Sequence, residues 1–178
     1  MTVYSGWDGY HRSLVSAISP LSQAQLLYRP VADRRCVGEI AAHIAFGRIT
    51  WFHRMGAPGT AELVAEAGSW WRPSGQLNGE IADNAPEIVR WLEASWRMIE
   101  SNLKLWTVAD LNETYLQPYQ GKTYAVSRQW TIWRIMAHDI HHGGQLTILL
   151  AAQGIDLPDL GDNGGHIVEV HLAEPSTA

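Results

Sequence analysis

Between Pro86 and Trp106 the chain carries Ile88, Leu92, Trp96, Ile99, Leu103 and Trp106, at steps of three and four. That spacing lines one face of an α-helix and no face of a strand, and it is the kind of seam that packed helices share in a bundle. The helix has to begin between Asp83 and Pro86, because a proline is harmless only in the first turn, where its missing N–H has no partner to lose. One apolar stripe on so long a helix needs other elements to cover it.

The remaining segments supply that cover. Trp7, Tyr10, Leu14 and Ile18 repeat at helical spacing within about Ser5–Leu27, where Pro20 forces a break and Ser22 is placed to cap a second short piece. Arg29–Arg35 reads as a connector, and Val37, Ile40, Ala41, Ile44 and Ile49 mark another helix running to about Met55, ended by Gly56-Ala57-Pro58-Gly59. Residues 60–80 are ambiguous: AELVAEA suits a turn or two of helix, and the turn-rich stretch after it carries Trp70-Trp71, a pair suited to a loop overhanging a site. Glu113–Ala125, with Gln120-Gly121 at its centre and Pro118 restricting it to an edge, reads as a β-hairpin or irregular ribbon. A last helix spans about Ser127 to Gln153 and stops at Gly154. The expected fold class is all-α, a four-helix bundle with a short β-ribbon before the last helix. It forms one domain over residues 1–155, and residues 156–178 make a partly irregular C-terminal extension with an alternating HIVEVH segment.

Composition narrows the function classes. A formal charge of −5 without clusters of Lys or Arg argues against a nucleic-acid surface, which needs concentrated positive charge. No apolar run approaches the roughly 18–20 residues of a membrane span. The single Cys36 cannot form an intramolecular disulfide, and Met1 is followed by polar TVYSGWDG, so the expected location is the cytoplasm. Nine tryptophans against two phenylalanines suit a helical core or interface, with a pocket lined by some of them as the other reading.

The chemistry concentrates in Met136–Leu146, MAHDIHHGGQL. His138 and His142 stand one turn apart on the stripe shared with Ile135, Leu146 and Leu149, so both imidazoles point inward. Two inward histidines are either a pair of ligands for a divalent ion or buried core residues bonded to their neighbours, and a third ligand decides between these. His43, in the second long helical segment near small residues, is the candidate; alone it would read as a core histidine. His53 lies about 80° around that helix from His43 and is not grouped with it, and His11 reads as an ordinary surface or core residue. Asp139 and His141 flank the pair at about 100° and 300° from His138; Asp139 suits orientation of a ligand or a surface or capping role, and Gln145 suits a contact to substrate or to a neighbouring helix. Gly143-Gly144 inside a helix costs about 1 kcal/mol each relative to Ala and implies a close backbone approach. Cys36, seven residues before His43 and thus about 10 Å along a helix, is too far to join it on one ion.

These stretches, GEIAAHIAFGRITWF (Gly38–Phe52) and WRIMAHDIHHGGQL (Trp133–Leu146), with the order and spacing of the helices over about residues 5–155, resemble the DinB/YfiT-like family of metal-dependent bundle proteins. The resemblance implies an up-down-down-up bundle, often a homodimer, with metal ligands at His43, His138 and His142. Similar members commonly carry Arg where this chain has Gly143. It further implies thiol-dependent transferases and isomerases that use a low-molecular-weight thiol, or hydrolases. Zinc is the first expectation for the ion, with nickel, manganese or iron as alternatives, and the partner expected besides a second copy is a small-molecule substrate. Three neutral imidazoles leave positions on the ion open, whereas a structural zinc is normally closed by four protein ligands, so the catalytic group would be metal-bound water or an activated thiolate. The rival readings are a non-enzymatic metal- or ligand-binding stress-related bundle and a dimerisation bundle with core histidines.

Overall fold

The computed structural model describes residues 5–70 and 81–156. In chain order the elements are α1 (Ser5–Ile18), α2 (Gln23–Leu26), α3 (Val37–Arg54), α4 (Thr60–Ala67), α5 (Ala85–Leu105), α6 (Val108–Asn112), β1 (Thr114–Tyr119), β2 (Lys122–Ser127) and α7 (Arg128–Ala151). Capping sets most of these limits. Ser22 and Gln25 form a reciprocal capping box on α2, Asn84 accepts the Glu87 N–H ahead of Pro86 in the first turn of α5, and Ser127 accepts the Trp130 N–H to start α7. Such caps satisfy backbone donors that have no partner inside the helix.

Contacts between the four long helices fix their directions. Trp7 meets Trp96 while His11, further along α1, reaches back to Glu93, so α1 and α5 are antiparallel. Phe46 packs on Trp91 and Phe52 on Trp106, so α3 and α5 run parallel. His43 lies beside His142 and Trp51 beside Trp130, which makes α3 and α7 antiparallel. The result is the up-down-down-up order. Ile88, Leu92, Trp96, Ile99, Leu103 and Trp106 are all buried, as the seam requires, and Trp91 joins them with none of its surface exposed.

The ribbon is a two-stranded antiparallel hairpin in which Tyr119 pairs with Lys122 across Gln120-Gly121. Both loop residues have positive φ, 48° and 72°, as a tight turn matching the strand twist demands. The ribbon runs two residues further than the sequence pattern suggests, to Ser127, because the pairing register continues to Thr114–Ser127. It is pinned to α7 by the Tyr115 and Thr131 hydroxyls at 2.8 Å and by the Arg128–Glu113 ion pair. AELVAEA is the helix α4, and α6 is a short helix that the apolar periodicity does not announce. The Trp70 and Trp71 side chains and the HIVEVH segment lie outside the described residues. No helix among the described residues is long and apolar enough to cross a membrane.

Candidate metal centre

α3 and α7 bring three imidazoles to one place. His43 Nε2 and His138 Nε2 are 3.1 Å apart, the His142 ring lies 4.8 Å from that of His43 and 4.4 Å from that of His138, and one ring nitrogen from each residue lies within 4.8 Å of the others. Two nitrogens bound at about 2.0–2.1 Å to one ion in tetrahedral geometry sit about 3.4 Å apart, so the observed approach is close to that of a shared cation. The backbone prepares this meeting. Gly47 is one turn beyond His43, and a Cβ there would come within 2.7 Å of His138 Cε1, so only glycine leaves the His138 ring its seat against α3.

The surroundings set the tautomers. His142 Nδ1 lies 2.7 Å from Gln145 Oε1, an acceptor only, so Nδ1–H donates and the Nε2 lone pair is left for the cluster. The Gln145 amide in turn donates to His141 Nε2 at 3.3 Å. Burial holds the His142 pKa down to about 4, partly opposed by the Gln145 hydrogen bond, so this ring is neutral near pH 7. His138 Nδ1 is buried without a hydrogen-bond partner among the described residues and faces Asp139 Oδ1 at 3.7 Å. A carboxylate on that side favours Nδ1–H and so directs the Nε2 lone pair toward His43. The donor set therefore fits a divalent ion: three imidazoles, two of them oriented from behind. The three residues could hold a metal ion.

Asp139 is no surface or capping residue. Fully buried, it accepts hydrogen bonds on Oδ2 from Arg48 Nε at 2.9 Å and from Trp7 Nε1 at 2.8 Å. Burial by itself would raise its pKa, but the Arg48 guanidinium, the adjacent His138 imidazole and the Trp7 hydrogen bond outweigh that and hold it below the usual carboxylate range. Arg48, equally buried, also approaches His11 Nδ1 at 3.3 Å. His11 is thus a core residue stacked on Trp96 at 5.1 Å, its pKa pushed down to about 3 by burial and then by Arg48. The pattern of the sequence held a signal for this network: Arg48 stands four residues from both Ile44 and Phe52, and Asp139 four from Ile135, so opposite charges lie on two inward stripes.

Gly143 answers the expectation of a close approach, since a Cβ there would lie 1.8 Å from the Tyr10 hydroxyl, whereas Gly144 faces open space. An arginine at position 143 has no room while Tyr10 stays there. Cys36 sits at the N-cap of α3, buried and with its thiol pKa raised by burial, outside the histidine cluster. His53 bonds Thr60 at 3.3 Å instead.

Residues 8–146 match the family model of the DinB superfamily. A crystal structure of a DinB-like protein from Bacillus cereus ATCC 10987 superposes with a TM-score of 0.62 over 85% of this chain and 91% of that one, at 17% identity. No curated protein matches the sequence.

Proposed function

The chain belongs to the DinB superfamily, and from that premise we propose that it is a metal-dependent enzyme whose divalent ion is held by His43, His138 and His142 and whose reaction transfers a group to or from a low-molecular-weight thiol. The observation that carries this reading is the donor set, three imidazoles gathered from two helices. A divalent ion in such a site keeps its full charge and open positions, and it favours the thiolate over the thiol of a ligand placed on it. The chain's own residues orient and exclude. Gln145 and Asp139 fix the rings from behind, and Gly47 makes room for His138. Asp139 is held on Oδ2 by Arg48 and Trp7 and faces His138 with Oδ1, which assigns it to orienting that ring.

The test is elemental analysis of protein purified without a histidine tag, followed by turnover of a panel of low-molecular-weight thiols with 1-chloro-2,4-dinitrobenzene. We expect one ion per chain, and activity that is lost on chelation and in His142→Ala while the helical circular-dichroism signal persists. A chain of this length can bury its core without an ion. Full activity without metal defeats the proposal; collapse of the helical signal on chelation assigns the ion a structural role instead.

A further inference from the structure

A cavity of about 490 Å³ opens between the loop joining α2 to α3 and the helices α3 and α7, with Arg34, Arg35, Ile40, Gln145, Ile148 and Leu149 on its wall. Three of these residues adjoin the histidine cluster. Ile40 stands three residues before His43 on α3, and Gln145 Oε1 lies 2.7 Å from His142 Nδ1. The Arg35 charge, after burial and the neighbouring imidazoles, helps to hold the His142 pKa down. The cavity is thus the space beside the three imidazoles.

The loop that carries the two arginines is braced. The Arg34 N–H donates to the Val31 carbonyl at 3.0 Å, closing a turn, while Arg29 donates to the Arg34 carbonyl and pairs with Glu39 at 2.9 Å in the first turn of α3. Glu39 in turn accepts the Cys36 N–H at 2.8 Å. Arg29 is therefore spent on holding the loop, and Arg34 and Arg35, both exposed, are presented by it. Arg12, Arg29, Arg48, Arg90, Arg97 and Arg128 each pair with a carboxylate. Among the described residues Arg34 and Arg35 form no ion pair, and Asp33, the one carboxylate on the cavity wall, pairs with neither.

The wall therefore combines two guanidinium forks, which match a carboxylate, with the apolar side chains of Ile40, Ile148 and Leu149. An inorganic anion would leave the apolar side chains unused, and an uncharged molecule would leave the cations unused. We propose that the cavity holds a small carboxylate-bearing thiol as the co-substrate, its carboxylate at Arg34 and Arg35 and its sulfur end toward His43, His138 and His142. The carboxylate site stands on the cavity itself; that its occupant is the thiol rests on the proposed function.

The probes are 6-mercaptohexanoate, whose flexible chain separates thiol from carboxylate, and 6-mercaptohexanamide, its uncharged counterpart. Both are titrated calorimetrically into metal-free protein, where only the carboxylate distinguishes them. We expect the acid to bind about fivefold or more tightly than the amide, and the doubly substituted Arg34→Gln, Arg35→Gln protein to lose that preference while binding the amide like the parent, as the loss of two exposed charge pairs requires. Salt should weaken the acid and spare the amide. Thermal melts confirm that the variant folds. Equal binding of acid and amide, no binding of the acid at millimolar concentration, or an unchanged preference in the folded variant overturns the carboxylate site. Cobalt-loaded protein then locates the sulfur: the thiolate-to-cobalt absorption band should reach half its height at about fivefold lower concentration of the acid than of the amide, and the variant should lose that advantage. A band that forms without it overturns the assignment of the thiol to this cavity. Failure to take up cobalt counts against the metal reading alone, because the calorimetric result needs no metal.

Discussion

Two neighbouring residues of α7 belong to polar clusters of opposite kinds. His138 looks toward α3 and joins His43 and His142, three imidazoles whose nitrogens converge. Asp139, rotated about 100° along the helix, looks into the bundle and is closed off by Arg48, Trp7 and, beyond Arg48, His11. The first cluster gathers donors toward a single point; the second is an ion pair with both side chains at 0% exposure. One residue of helical rotation separates an arrangement suited to a ligand from one that ties three helices together. The two meet at the 3.7 Å contact between His138 Nδ1 and Asp139 Oδ1, through which the closed cluster orients the open one.

The largest effect should come from breaking the closed cluster on one side. Asp139→Ala leaves the Arg48 charge buried and unpaired, and should cost about 3–5 kcal/mol in urea unfolding, whereas Arg48→Met with Asp139→Leu should recover most of that loss. His138→Ala, by contrast, should cost far less stability while removing metal binding. If Asp139→Ala unfolds like the parent protein, the clusters do not differ as described.

Gly143 and Gly144 sharpen the contrast at the next level. Ala at 143 meets the Tyr10 hydroxyl that packs α1 onto α7, so Gly143→Ala should destabilise by about 1–3 kcal/mol through overpacking. Gly144→Ala, with nothing near its Cβ, should stabilise by up to about 1 kcal/mol. Urea melts that rank the two in the opposite order would show that α1 does not press on α7 at this point.

The effect that vanishes at neutral pH is on acid sensitivity. His11 is held neutral in the folded chain, its pKa about 3, while in the unfolded chain a histidine protonates near the ordinary 6.5. The unfolded state therefore binds more protons between these values, and stability should fall as pH drops from about 6.5 toward 3, by at most about 1.4 kcal/mol per pH unit for this group. His142, at about 4, acts with the same sign in metal-free protein. Asp139, depressed by its partners, adds a further loss only in stronger acid, below the ordinary carboxylate value near 3.9. His11→Gln should flatten the slope between pH 6 and 4; a slope equal to the parent's would remove His11 from the acid response.

Much of this was legible before any coordinates. The seam from Ile88 to Trp106, the break at Pro20, the cap at Ser22, the start of the last helix near Ser127 and the shared face of His138 and His142 follow from local rules of three- and four-residue spacing and of unpaired backbone donors. Residues whose role depends on another helix were harder to read. His11 looked ordinary because its partners, Arg48 and Trp96, are 37 and 85 residues away. Arg48 drew no notice on an apolar stripe, and Asp139 could not be told from a surface carboxylate.

By itself, then, the sequence determined which long segments are helical, roughly where they end, and that two histidines share an inward face, because these depend on neighbours within a turn or two. Only the tertiary structure decided that His43 meets those histidines, that Asp139 finds its counter-charge 91 residues away in Arg48, that Gly143 yields its space to Tyr10, and that Arg34 and Arg35 line one cavity with Gln145. Each depends on the direction and crossing of helices distant in the chain, and a one-dimensional periodicity fixes which face a side chain takes but not what stands opposite it.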